Sequence, residues 1–356
     1  MTGMSIHQIL GLKIPPEHED SFASLTRLCD DHNLLNQKDG HETRDLRDGL
    51  SDPSTLLRFL TARRFDPDAA LEQYKEACQF RQEKAVLKLY DIIPITDFEQ
   101  ARQFYPHWTG RRCKNGVPIC MFDLAYLDKD GLASWEKSRQ SPGWKYSPSE
   151  EHQPPTPDMI QSASIFHDSL TRFVLPLCSM MKDRPNSSVP ITNFVYLVDA
   201  SNLGLKQGWS VRFFAQEISW LLSTCYPETI QRIFVCNAPS YFATIWKYLK
   251  GWVDPYTAEK IVILSDAEVL PTLREHIDDA NIPSIFGGGF PFKHGMLPDL
   301  DNNIRQRLNW DSPEKSVPPG PIKWAQESDG KIVASAVGSQ VGSARNDKIA
   351  EVDCMK

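Results

Sequence analysis

The 356-residue chain is defined first by what it lacks. It has no basic excess, with Lys and Arg numbering 39 against 46 Asp and Glu for a net charge of −7, so no face for nucleic acid is expected. No run of 18 apolar residues occurs, so no segment reads as a membrane span and any membrane contact is expected to be peripheral. The opening MTGMSIHQILGLKIPPEHED is too polar, and its apolar run too short, for a secretory leader. Eight cysteines (Cys29, Cys78, Cys113, Cys120, Cys178, Cys225, Cys236, Cys354) form no CxxC pair. They read as reduced, largely buried residues of a cytoplasmic protein. Signatures of catalysis are missing too: no G-x-S-x-G elbow, no H-E-x-x-H, and no His/Cys cluster at metal-ligand spacing. His167 reads as an isolated helix histidine. Gly287-Gly288-Gly289 has neither a Walker lysine nor G-x-G-x-x-G spacing and reads as a tight chain reversal. No catalytic residue and no metal ligand is assigned.

What is present centres on Cys225 to Leu264, CYPETIQRIFVCNAPSYFATIWKYLKGWVDPYTAEKIVIL. Two apolar runs, Arg232–Cys236 and Ile261–Leu264, have strand length and little polarity, as expected of parallel strands covered on both faces. Between them Tyr241, Phe242, Ile245, Trp246, Tyr248, Leu249, Trp252 and Val253 spread around most of a helix rather than along one stripe. Such a helix is either buried all round or faces something apolar.

Around this crossover the alternation of strand and helix signals predicts an α/β fold with a mostly parallel sheet at 104–300, behind an all-α N-terminal bundle at 51–103. Residues 1–50 are expected to be a partly helical extension. Ser51-Asp52-Pro53-Ser54 and Asp66-Pro67 each cap a helix, proline fitting the first turn. Val117–Leu124 and Asn193–Val198 read as strands, 158–182 as a long helix kinked at Pro176, and 211–226 and 266–276 as further helices. Residues 125–157, with two Trp and five Pro, read as a long irregular insertion. From about Asp311 the text turns Gly/Ser/Ala-rich, and 301–356 is expected to be a tail, disordered beyond 311.

Several charges flank the central stretch: Arg63 and Arg64 at the end of LLRFL, Glu228 after Tyr226-Pro227, and Thr257 with Lys260 on the turn opened by Asp254-Pro255. Singly, each has a structural explanation as a helix-end cation, a loop carboxylate or a cap. Together with STLLRFLTARRFDPDAA, KNGVPICMFDL, NFVYLVDASNLGL, CYPETIQRIFVCNAPSYF, WVDPYTAEKIVIL and IPSIFGGGF, in that order, they make the chain over 52–300 resemble the CRAL-TRIO lipid-binding family, in its fungal-type phosphatidylinositol-transfer branch. The resemblance implies a helical lobe on a sheet floor, an apolar cavity, and a mobile helical gate at Tyr241–Val253. In this reading Tyr241, Phe242, Ile245, Trp246, Leu249 and Trp252 line the gate and acyl cavity. It also implies a phosphatidylinositol headgroup site: Arg63, with neighbouring Arg64, stands for the arginine of an ARKF-like motif, Glu228 for that of YYPE, and Thr257 and Lys260 for those of DPVTxxK.

The choline-lipid pattern is departed from. Phe194 and Tyr196 stand where phosphatidylcholine-exchanging members place Ser and Thr, and Thr109 and Cys120 align with their two tyrosines. The expected second ligand is therefore another apolar molecule such as a sterol or fatty acid, with haem on Tyr196 as a further alternative and a core tyrosine as the structural one. No cofactor is called for beyond bound lipid. The expected protein is a monomer that extracts phosphatidylinositol from phospholipid membranes and transfers it, or a non-transferring sensor that presents it to a lipid kinase. It is expected to be cytoplasmic with transient membrane association, and not an enzyme.

Overall fold

The computed structural model describes residues 4–36, 44–127, 155–203, 212–253 and 255–352, with isolated positions between 130 and 145. The helical N-terminal part holds α1 (Ile6–Ile9), α2 (Glu19–Asp31), α3 (Pro53–Ala62), α4 (Pro67–Glu83), α5 (Val86–Ile92) and α6 (Ile95–Arg102). Asp52 caps α3 by accepting from the Ser54 amide, and Asp66 caps α4 through the Asp68 and Ala69 amides, with proline at the first helical position of each. Leu25, Cys29, Phe59 and Tyr74 fill the space between α2, α3 and α4, the last two rings meeting edge-on at 5.0 Å.

A five-stranded sheet follows in spatial order β1 (His107–Arg112), β2 (Pro118–Asp123), β3 (Phe194–Asp199), β4 (Ile230–Cys236), β5 (Ile261–Ile263). Only β1 and β2 pair antiparallel; the remaining pairs are parallel. β2 and β3 are almost wholly buried, as their unbroken apolar text requires. The crossovers are α7 (Met159–Ser169), continuing through a π-helical turn (Leu170–Val174) into α8 (Leu175–Ser179), then α9 (Arg212–Cys225), then α10 (Phe242–Leu249) with a 3-10 turn (Lys250–Trp252) and α11 (Pro255–Glu259). α12 (Asp266–His276) follows β5.

The helix expected at 158–182 is a continuous helical run over Met159–Ser179, and a π-helical turn just before Pro176 accommodates that residue's missing N–H and its ring. The sequence reading omits β1, HWTGRR, because its polarity hides it and because Gly110, at φ +90°, breaks its pattern. A Cβ there would lie 2.4 Å from the Asp299 backbone, so the strand's polar face is roofed by the segment at 299–301. The insertion at 125–157 falls mainly outside the described residues.

The tail is the largest correction. Residues 301–352 are ordered: α13 (Asn302–Arg307) leads into β6 (Leu308–Trp310), β7 (Ile322–Gln326), β8 (Ile332–Gln340) and β9 (Ser343–Val352), an antiparallel sheet in order β6-β9-β8-β7. Its small residues are packing devices. Ser339 bonds the Ile93 carbonyl through its amide and the Ile92 carbonyl through its hydroxyl, and a Cβ on Gly338 would meet Ile93 O at 2.8 Å. Trp324 stacks on Phe173 with ring centroids 5.3 Å apart and donates Nε1–H to the Phe173 carbonyl inside the π-helical turn. Buried Lys323 is neutralised by Asp45 at 2.7 Å and Asp91 at 2.8 Å.

Candidate functional site

Three segments distant in sequence converge on one cleft. The first is the α3–α4 turn. Arg63 ends α3, and Arg64 and Phe65 follow in left-handed backbone at φ +52° and +62°. Non-glycine residues occupy that region at a cost, so something must hold them there. The Phe65 amide donates to Leu60 O, and its ring stacks on His18 with centroids 3.6 Å apart.

The second segment is the Cys225–Glu228 turn between α9 and β4. The Tyr226 hydroxyl donates to Asp168 Oδ1 at 2.7 Å, and Arg81 Nη2 reaches the same oxygen at 2.8 Å. All three groups are buried. Arg58 donates to the Pro227 carbonyl, and the Thr229 hydroxyl closes back on the Tyr226 carbonyl at 2.8 Å. Glu228, at φ +57°, is a second left-handed residue lining the cleft, after Arg64.

The third is α11 with the entry to β5. Lys260 O accepts from Ile233 N, fixing this end of the helix to β4. Its ammonium lies 3.0 Å from Glu228 Oε2 and 4.2 Å from the centre of the Tyr256 ring, a charge pair roofed by an aromatic face. The Glu228 carboxylate beside Tyr256 raises that phenol above its usual range.

These segments enclose a cleft of about 440 Å³ lined by Arg63, Arg64, Glu228, Thr257 and Lys260, with Tyr256 at its rim. All five expected headgroup residues therefore meet. Arg63 and Arg64 have no ion-pair partner among the described residues, whereas Lys260 is already matched by Glu228. The cleft can accept an anion bidentately through guanidinium groups and present hydroxyl and carboxylate oxygens to a polyol. Sequence reasoning missed Tyr256, which sits one place before the threonine it singled out. It also missed the supporting group of Arg58, Arg81, Asp168 and Tyr226, where the available signal was an arginine on the apolar face of LLRFL.

The aromatic helix is not buried all round. Phe242 is buried against Ala200, Leu203 and Val235 at the carboxyl ends of β3 and β4, with Trp246 half-buried beside it. Tyr241 donates to the Leu203 carbonyl, and Tyr248 is 61 % exposed. The side chains of Ile245, Leu249 and Trp252 lie outside the described set.

In the second-ligand region, Cys120 and Tyr196 are register partners across β2 and β3, and Phe194 lies two residues before Tyr196, their rings 6.1 Å apart. The Thr109 hydroxyl donates to Ile119 O. Burial holds the Tyr196 phenol well above its usual range. Among the described residues one group has metal-ligand types in reach: His7, Asp48 and Asp52, wholly buried. Its bonds are structural, since Asp52 accepts from Gly49 N, Ser54 and Thr55 and pairs with His7 Nδ1 at 2.9 Å, pinning α1 to the start of α3.

Comparison with known proteins places this geometry in a family. Over 240 residues the chain is 25 % identical to the SEC14 cytosolic factor of Candida glabrata, covering 67 % of this chain and 70 % of that one. Over 235 residues it is 26 % identical to the phosphatidylinositol/phosphatidylcholine transfer protein SFH7 of Arabidopsis thaliana, 65 % of this chain and 38 % of that one. The crystal structure of Sfh5 superposes with a TM-score of 0.50 at 11 % identity, over 73 % of this chain and 84 % of that one, which speaks for the fold. The CRAL/TRIO domain model matches residues 108–288, from β1 through Gly287-Gly288, and the chain belongs to that family.

Proposed function

We propose that the protein binds phosphatidylinositol, holding the headgroup in the Arg63/Lys260 cleft and the acyl chains behind the α10 gate, and carries it between membranes. The observation that carries this reading is the meeting of Arg63, Arg64, Glu228, Thr257 and Lys260 at one cleft, in the chain next to the aromatic crossover. Relatives named for phosphatidylinositol and phosphatidylcholine transfer support it. Arg63 and Lys260 would grip the phosphodiester, Thr257 would donate its hydroxyl, and Glu228 would accept from the inositol ring.

The physical need for such a protein is kinetic. Each acyl CH₂ kept from water is worth about 0.8 kcal/mol, so a two-chain lipid leaves a bilayer unaided extremely slowly. A gate opening against the bilayer lets the chains pass from one apolar phase to another. Tyr248, exposed on α10, and Tyr256 are placed to partition into the headgroup region. No helix among the described residues is long and apolar enough to cross a membrane, which accords with peripheral, transient contact from the cytoplasm.

The test is transfer of labelled phosphatidylinositol from donor to acceptor vesicles. Wild type should transfer, and Arg63→Ala and Lys260→Ala should each lose at least about tenfold, as expected on removing a charge-assisted bond worth about 1.5–3 kcal/mol. Undiminished transfer in both variants would overturn the site. A protein that retains lipid but moves none would instead point to presentation, for which the ordered C-terminal sheet outside residues 108–288 offers a partner surface.

A further inference from the structure

The cleft carries more positive charge than a phosphodiester answers. Lys260 and Glu228 cancel at 3.0 Å, leaving the guanidinium groups of Arg63 and Arg64, both exposed and both without an ion-pair partner among the described residues. Glu72 and Glu76 on α4 line an outer groove to which Arg63 also contributes; Glu72 is paired with Lys75 at 2.9 Å, and neither forms an ion pair with Arg63. A lipid phosphodiester brings a single negative charge and so leaves one guanidinium unanswered.

The backbone shows that the second arginine's placement is built in. Consecutive side chains in regular structure diverge, by about 100° in a helix or 180° in a strand. Here the chain enters left-handed backbone at Arg64 and again at Phe65, and both arginines face one cleft. The stack of Phe65 on His18 and the Phe65 amide bond to Leu60 O hold that turn. Two left-handed non-glycine residues, Arg64 and Glu228, line the same cleft, and such strain persists where surrounding structure enforces it.

We infer that the cleft takes an inositol lipid carrying a ring phosphate in preference to unphosphorylated phosphatidylinositol, with Arg64 as the residue that reads the added phosphomonoester. This deepens the proposed function and rests on its headgroup reading. A phosphomonoester adds about −1.5 to −2 charge at neutral pH and three acceptor oxygens, the partner a planar guanidinium suits best. Arg63 and Lys260 then keep the phosphodiester, and Glu228 with the rim phenol of Tyr256 is left to the ring hydroxyls.

The experiment is capture by phosphatidylcholine vesicles containing equal mole fractions of phosphatidylinositol or a phosphatidylinositol monophosphate. The variants are Arg64→Asn, which removes the charge while tolerating left-handed backbone, and Lys331→Gln on the C-terminal sheet as a charge control. Wild type should favour the monophosphate by at least about tenfold, the range expected of one charge-assisted pair. In Arg64→Asn the ratio should fall towards one, and in Lys331→Gln it should match wild type. Equal capture of both inositol lipids, above that of plain phosphatidylcholine, would overturn the inference and leave the headgroup reading standing. No preference for either inositol lipid over phosphatidylcholine would remove both. A soluble inositol bisphosphate that binds as tightly as the lipid would show that free phosphate, not a membrane lipid, is the ligand.

Discussion

At the scale of single residues, the cleft depends on buried groups behind its wall, Asp168 and Arg81, which do not line it. Asp168 accepts from both Arg81 and Tyr226 in a fully buried setting, and Tyr226 holds the turn that delivers Glu228. Asp168→Ala leaves a buried guanidinium without its counter-charge and should cost about 3–5 kcal/mol in urea unfolding. A loss below about 1 kcal/mol would mean that the pair is not a keystone. Histidines give a second residue-scale test. Burial lowers His107 to about 3 and His167 to about 4 from the usual 6.5, and His107 Nε2 accepts the Gly295 N–H, which requires that nitrogen to be unprotonated. With folded values depressed, the unfolded chain takes up protons first. Their contribution is therefore complete above about pH 6.5 and is lost as pH falls towards 4. Each should add up to about 1.4 kcal/mol per pH unit to the fall in unfolding free energy over that window. His167→Gln should flatten the fall measured by denaturant titration at several pH values, and an unchanged slope would contradict the assignment.

At the scale of elements, the C-terminal sheet is structural. Trp324 is fully buried against the π-helical turn, so Trp324→Ala should cost about 3–5 kcal/mol, read as a lowered denaturation midpoint; a surface appendage would show almost none. This sheet was also the least legible part of the sequence. Gly338, Ser335 and Ala336 look like low-complexity text, yet small residues are what let β8 lie against the end of α5. The crossover from β4 through α10 to β5 was legible because two apolar runs of strand length bracket an aromatic helix. β1 was not, because its polar residues bind a segment some 190 positions away, Arg111 to Asp299 at 2.6 Å and Arg112 to Asp301 at 2.8 Å. Cleft residues with family motifs were readable; the supporting Asp168 and Arg81 were not, since their pairing spans 87 positions. The proposed gate, α10, is eight residues long and leaves Tyr248 exposed, so its amides should exchange faster than those of β4, and anionic vesicles should slow them. Exchange unaffected by vesicles would separate α10 from membrane contact.

At the scale of the whole molecule, helices α2 to α4, the five-stranded sheet and the C-terminal sheet form one continuous apolar core, with the cleft where the first two meet. Arg63 and Arg64 come from the helical part and Glu228, Thr257 and Lys260 from the sheet part, so the polar grip spans the junction and neither part has it alone. The aromatic crossover lies next to that cleft in the chain, which sets the proposed headgroup site beside an apolar one. Mass spectrometry of the lipids that co-purify with the protein from a eukaryotic host tests this arrangement most directly. Near-stoichiometric inositol phospholipid in the wild type, strongly depleted in Lys260→Ala, is the predicted result. A wild-type protein carrying no phospholipid, or carrying phospholipids in the proportions of the host membrane, would contradict it.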